Sequence, residues 1–401
     1  MNLISRIKNK VVYCRNFVYK YRESKQWKND NDQITHVTYC AVSNTGDTML
    51  SQCVRKVFEK YLGSKKWKIF PVTEEVTDRS LTHINQSKLL VIGGGGLFIA
   101  DTNKNSISGW QWPISKEQLN VIKAPIIVFS VGYNYFRGQE VPQLFKDNLV
   151  ALVQKSSFIG LRNTGSVNAI KELLPLELKG KIVYQPCTTT LISQIYHIQH
   201  CPYNRTIAFN IAFDRMDKRF GDKKEIILRE IAKSAKQIQN KNFDIIYVAH
   251  MKDDLLFLPF LKEADVRFVV KDISNYLPQQ TIEFYRKIDV VIGMRGHAQM
   301  IPFGINCGII TLGSHDKMRW FLEDIGCVDL YVELMRETEF ISSRIAQIFE
   351  DNYLGGNFDR TISRLKECQI KLMKITNTNM KIIMVLCQDL VQVKMRNFSP
   401  F

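Results

Sequence analysis

Residues 288–312 read IDVVIGMRGHAQMIPFGINCGIITL, and the alternation inside them decides the fold. The runs at 288–293 (IDVVIG) and 307–312 (CGIITL) are short, apolar and rich in β-branched residues, as strands buried on both faces must be. Between them, Ala298 to Gly304 predicts a helix. Strand, helix, strand over so few residues is a crossover unit, which makes the two strands parallel.

The same alternation extends in both directions. Upstream, strands are predicted at 206–211 (TIAFNI), 244–249 (DIIYVA) and 266–270 (VRFVV), with helices at 222–240 and 278–287; downstream a further helix is predicted at 317–325. An earlier set predicts strands at 34–42, 88–92, 125–131, 157–161 and 181–185. Between the first two, Asp47 to Leu62 places Met49, Leu50, Cys53, Val54, Val57, Phe58, Tyr61 and Leu62 at helical spacing. The break around Cys201, Pro202, Tyr203 and Asn204 suits neither period and is the expected linker. Two α/β halves of Rossmann-like type, facing each other across a cleft, are therefore expected. They would span 34–200 and 205–335, preceded by a basic segment (1–33) and followed by C-terminal helices (336–401), with helical pattern at 336–350 and 357–395.

Composition sets limits on function. A 45% hydrophobic, 23% charged chain of 401 residues is an ordinary globular protein large enough for two domains. No apolar run reaches the roughly 20 residues of a membrane span, and the N-terminus lacks the pattern of a secretory signal. A cytoplasmic location is expected. The nine cysteines form no CxxC pair, and His197, His200 and Cys201 are the one tight group of metal-ligand types, flanking a loop; no metal is expected. The first 30 residues hold eight basic and two acidic side chains, +6 of the chain's +16, interleaved with apolar residues. That mixture reads equally as a solvated tail or as an amphipathic helix on an anionic membrane, which would place the protein peripherally at the inner face of the plasma membrane. No nucleic-acid-binding motif accompanies the charge.

In parallel sheets, ligands bind beyond the carboxyl ends of the strands, so the residues that matter follow the strands. Asn44, Thr45, Gly46 and Asp47 supply a tight turn and a helix cap. Gly93, Gly94, Gly95 and Gly96 let a backbone approach a ligand and expose successive N–H groups to an anion; without GxGxxG or GK[ST] in register, neither a dinucleotide site nor a P-loop is indicated. Ser130-Val131-Gly132-Tyr133-Asn134 and Gly160-Leu161-Arg162-Asn163 follow the next two strands. Arg162 suits a carboxylate or phosphate, or a salt bridge. Arg295 and His297 stand where a strand gives way to a helix, and Lys317 follows the next strand. Three basic groups at two adjacent strand ends fit a multiply charged anion, and His297 is the side chain suited to move a proton near neutrality.

Taken in order, NTGD, VIGGGGLF, SVGYN, FIGLRN, the YQP loop, MRGH and GSHDK resemble the polysaccharide pyruvyl transferase family over most of 36–325. The resemblance implies two Rossmann-like halves arranged as in GT-B glycosyltransferases, with the acceptor on the N-terminal half and the donor on the C-terminal one. It implies transfer of pyruvate from phosphoenolpyruvate to two hydroxyls of a sugar, as a ketal, in capsule, cell-wall or exopolysaccharide synthesis. Phosphoenolpyruvate is then a co-substrate, no separate cofactor is needed, and the partner is a saccharide or lipid-linked saccharide. By motif, His297 is the expected acid or base, and Arg295, Lys317 and Arg162 the expected donor ligands. Asn44, Gly46, Asp47, Gly94, Gly95 and Asn134 belong to the loops beside the acceptor. Two positions depart from the family: Asn163 and Cys187 stand where acidic residues are usual. Competing expectations are a glycosyltransferase using a nucleotide sugar and a noncatalytic assembly protein that keeps the fold.

Overall fold

A computed structural model describes residues 33–40, 43–99, 102–135, 138–199, 201 and 203–387. Residues 1–32 of the basic N-terminal segment and residues 388–401 lie outside the described residues, as do Pro202 of the expected linker and His200 of the His/Cys group.

The chain forms two parallel six-stranded sheets, each flanked by helices. The first contains β1 (Gln33–Thr38), β2 (Lys66–Pro71), β3 (Leu89–Phe98), β4 (Ile126–Tyr133), β5 (Phe158–Leu161) and β6 (Ile182–Tyr184), in the order β2-β1-β3-β4-β5-β6. The second contains β7 (Thr206–Asn210), β8 (Asp244–Ala249), β9 (Phe268–Asp272), β10 (Val290–Gly293), β11 (Gly308–Gly313) and β12 (Tyr331–Glu333), in the order β12-β11-β10-β7-β8-β9. Read from β9, the second order runs third, second, first, fourth, fifth, sixth, the doubly wound arrangement. Its winding reverses between β7 and β10, which pair through Phe209 with Ile292 and Asn210 with Gly293. In the first sheet the reversal lies between β1 and β3, where Val37 pairs with Ile92.

By contact, described residues 33–40, 50–188 and 373–387 form one compact unit, and 43–49 with 189–372 form the other. The first unit is built around the central apolar strands: Leu90, Ile92, Ile126 and Val128 are fully buried beside Trp110, Trp112 and Phe145. Trp110 places its indole N–H on Asn148 at 2.7 Å, so this buried ring keeps its polar atom satisfied. The end of the long helix Asn357–Leu386 belongs here too, Asn379 donating to the carbonyl of Tyr184 at 2.9 Å. In the second unit Tyr353 packs at the start of β11, its hydroxyl meeting both the N–H and the carbonyl of Ile309 at 2.8 Å.

Two readings of local structure change. The glycine run is not a loop after a short strand: β3 continues through it to Phe98. Gly94 and Gly95 carry positive φ values of 75° and 102° and the ladder to β4 slips beside them, while a Cβ on Gly94 would lie 2.8 Å from Leu50. Close packing of strand on helix is what these glycines permit. The second change is the edge strands β2 and β12, which have no counterpart among the expected strands. Among the described residues, no helix is long and apolar enough to cross a membrane.

Candidate functional site

In the second unit, side chains from the ends of β7, β8, β10 and β11 meet at the reversal of winding. Arg295 follows β10. Its Nε and Nη2 donate to the carboxylate of Asp254 at 2.9 and 2.5 Å, and its Nη1 lies 2.7 Å from Asp214. Asp254 is wholly buried just past β8, and it also accepts from Asn210 Nδ2 at the end of β7 and from the N–H groups of His250 and Met251. A buried carboxylate needs such a set of donors to remain charged.

Asp214 is shared. Arg219 donates through Nη2 to its carboxylate at 2.9 Å, through Nε to its carbonyl at 2.8 Å, and through Nη1 to Ser314 beyond β11 at 2.8 Å. Burial alone would raise the Asp214 pKa; Arg219 and Arg295, with Lys317 adding, hold it well below the usual carboxylate range. Burial likewise opposes the charge of Arg295, but Asp254 and Asp214 outweigh it and keep the guanidinium protonated. Arg295 and Arg219 are paired with Asp254 and Asp214, and Lys317 adds its charge beside Asp214. The helix His297–Gly304 brings its N-terminal dipole to the same place. Beyond the bonds named, each terminal nitrogen of Arg295 carries a second N–H, and the side chain stays 13% exposed.

His297 opens that helix and lies against the 43–48 turn. A Cβ added to Gly46 would stand 2.7 Å from His297 Nδ1. The turn is fixed by its own side chains: Asn44 Oδ1 accepts from the Gly46 N–H at 3.0 Å, Asn44 Nδ2 donates to Asp47 at 2.6 Å, and the Thr45 hydroxyl bonds the carbonyl of Ile273. The next helix, Asp316–Asp324, is capped by His315, whose Nδ1 accepts from the N–H of Lys317 at 3.3 Å. That cap fixes the backbone from which Lys317 extends. Behind the cluster, His250 is buried against the Tyr285 hydroxyl at 2.5 Å, and desolvation, with Arg295 nearby, pushes its pKa down to about 3. It is a neutral structural histidine.

The second unit thus brings together Arg295, His297, Lys317, Asn44, Gly46 and Asp47. Arg162, Asn134, Gly94 and Gly95 belong to the first unit. There Arg162 is buried at the end of β5 and donates through Nη2 to Asn134 Oδ1 at 2.8 Å. Two glycines clear its path: a Cβ on Gly132 would fall 2.2 Å from Arg162 Nε, and one on Gly96 would fall 1.7 Å from Asn134 Nδ2. Ser130 takes a left-handed φ of 59° where the β4–β5 ladder slips, a bulge that re-aims the end of β4. Asn163 caps the helix Thr164–Glu172, its Oδ1 accepting from Ser166 N at 2.7 Å. An aspartate would cap equally well, so this departure from the family keeps the local geometry. Cys187 is buried. No group of three or more His, Cys, Asp or Glu among the described residues is placed to hold a metal.

Asp214, Arg219, Asp254 and Asn210 are absent from the sequence-based site. Asn210 and Asp254 each stand at or just past a strand end, so the strand-end rule applied to β7 and β8 as it was to β10 would have reached them. Two cavities lie elsewhere, one beside Arg344, Arg360 and Arg364 and one beside Arg336 and Phe340.

A sequence profile described as polysaccharide pyruvyl transferase matches residues 6–315. No curated protein sequence matches. Among solved structures, a glycosyltransferase from Rickettsia africae ESF-5 is similar at a TM-score of 0.52 with 12% identity, over 90% of this chain and 99% of that one. The S. aureus MnaA–UDP co-structure gives 0.51 with 10% identity, over 92% and 100%. The UDP-GlcNAc 2-epimerase from Neisseria meningitidis bound to UDP-GlcNAc gives 0.50 with 12% identity, over 87% and 100%. At such identities the likeness is one of fold: two α/β domains of the GT-B kind.

Proposed function

The chain belongs to the polysaccharide pyruvyl transferase family, and on that premise we propose that it moves the pyruvyl group of phosphoenolpyruvate onto two hydroxyls of a sugar in a cell-surface polysaccharide or its precursor. The observation that carries this reading is the joint placement of Arg295, His297 and Lys317 at the ends of β10 and β11, with Arg295 oriented by Asp254 and Asp214. The donor bears a carboxylate and a phosphate. The remaining N–H groups of Arg295, the Lys317 ammonium and the N-terminus of the His297 helix suit those two anions.

The reaction balances without a further reagent. A proton reaches the methylene carbon, and the resulting cationic carbon is attacked by the first sugar hydroxyl. The carbon–oxygen bond to phosphate then breaks, and the second hydroxyl closes the ketal. Of the two hydroxyl protons, one ends on the new methyl group and the other on the released phosphate. His297 is the group suited to carry them, while the fixed positive charge stabilises phosphate as it leaves. By motif, Arg162 is a further candidate for donor binding, and Asn44, Gly46, Asp47 and Asn134 are candidates for acceptor binding.

The test is incubation with phosphoenolpyruvate and a panel of saccharides. Acceptor-dependent release of phosphate, with a pyruvate ketal in the product by mass spectrometry and loss of both in His297→Ala, is expected. Release of UDP from a nucleotide sugar instead would overturn the reading.

A further inference from the structure

The last part of the long C-terminal helix presents a face that stays exposed among the described residues. Between 373 and 387 one side is packed: Met380, Ile383 and Cys387 are at most 5% exposed. On the other side Lys374, Thr378, Lys381, Ile382, Val385 and Leu386 face outward. Their spacing of three and four residues places them on one arc of the helix. Ile382, Val385 and Leu386 remain 45%, 58% and 49% exposed. Such a cluster of aliphatic side chains on the outside of a helix, closely flanked by lysines, is unlike an ordinary solvated face.

We propose that this face docks on an anionic lipid surface. Its charge is of one sign: no Asp or Glu occurs from 368 to 388, while Lys371, Lys374 and Lys381 do. Aliphatic groups enter the boundary between headgroups and acyl chains, and the lysine stems lie along it with their ammonium groups among the lipid phosphates. The sequence that follows, QDLVQVKMRNFSPF, continues the mixture with Lys394 and Arg396 against Asp389. A second copy of the chain is a poorer occupant, because a symmetric contact through this face would bring Lys374 and Lys381 against their own counterparts. The inference is independent of the proposed reaction and of the basic segment at the start of the chain.

The experiment is co-sedimentation of the full chain with phosphatidylcholine vesicles, alone or carrying about 30% phosphatidylglycerol. Wild type is expected to pellet with the anionic vesicles, not with the neutral ones, and to be released by salt. Lys374→Glu/Lys381→Glu should weaken binding by about tenfold or more. Ile382→Ser/Val385→Ser/Leu386→Ser should weaken it comparably. The charge variant alters exposed side chains only, so it remains informative if the triple variant folds poorly. Three results would each overturn the proposal: wild type that stays in solution, variants that bind like wild type, or vesicle-free dimerisation that the triple variant abolishes.

Discussion

Gly46 and His297 are in direct contact, so close that a methyl group on Gly46 would sit 2.7 Å from the ring Nδ1 and 2.8 Å from the histidine Cβ. The NTGD turn is therefore a wall for the imidazole as well as a helix cap. Gly46→Ala improves helix propensity yet must push the ring aside. Phosphate release is expected to fall by about tenfold or more while the melting temperature holds. Unchanged turnover would mean that the position of His297 does not matter to the reaction.

Asp254 holds Arg295 and three further donors in a site with no exposure of its own. Asp254→Ala leaves a buried guanidinium with one partner fewer and strands those donors. Urea unfolding should show a loss of about 3–5 kcal/mol. Replacing both partners, Asp254→Leu with Arg295→Met, should cost less than the single change, because no uncompensated charge remains. A double variant less stable than Asp254→Ala would contradict this account.

His36 and His250 set an acid limit on stability. Desolvation, helped by Arg55 in the first case and Arg295 in the second, pushes each imidazole down to about 3. In the unfolded chain the same groups take up protons near pH 6.5. Between those values the unfolded state binds more protons, so stability rises with pH. The contribution is complete above about pH 6.5 and drains away as pH falls toward 3, at about 1.4 kcal/mol per pH unit for each histidine. Urea midpoints measured across this window should fall with pH in wild type, and His250→Gln should flatten the slope.

Gly132 exists for Arg162. A Cβ there would lie 2.2 Å from Nε and 2.6 Å from Cζ, at the far end of a long side chain that can be displaced. Gly132→Ala should therefore move the guanidinium and leave the fold standing. If Arg162 holds the donor, this variant and Arg162→Ala will raise KM for phosphoenolpyruvate by similar factors, about tenfold or more. Gly132→Ala with normal KM and Arg162→Ala without it would separate the arginine's role from its present position.

How much of this could be read beforehand differs by level. The central strands announce themselves because a strand covered on both faces must be apolar throughout, as in LLVI of β3 and VVIG of β10. The edge strand β2, KWKIFP, carries Lys66 at its exposed end and a buried Lys68 among its apolar residues, and it falls below that signal. The glycine run shows the opposite failure: glycine has no strand signature, yet β3 needs it to pass under Leu50. Arg295, His297 and Lys317 were visible from their positions after strands. Asp254, just past β8, is within reach of the same rule; that it orients Arg295, as Asp214 does from 81 positions away, is recognisable only once the chain is folded.

The fork that Asp254 and Asp214 close around Arg295 also bears on the thermodynamics of ligand capture. A free arginine loses on the order of 2 kcal/mol of rotamer entropy when a ligand immobilises it. Here that freedom is surrendered when the protein folds, and an arriving anion meets a side chain already still. Calorimetry of donor binding should therefore show a smaller entropic penalty in wild type than in Asp214→Asn, in which the guanidinium keeps its charge but loses one of its two restraints.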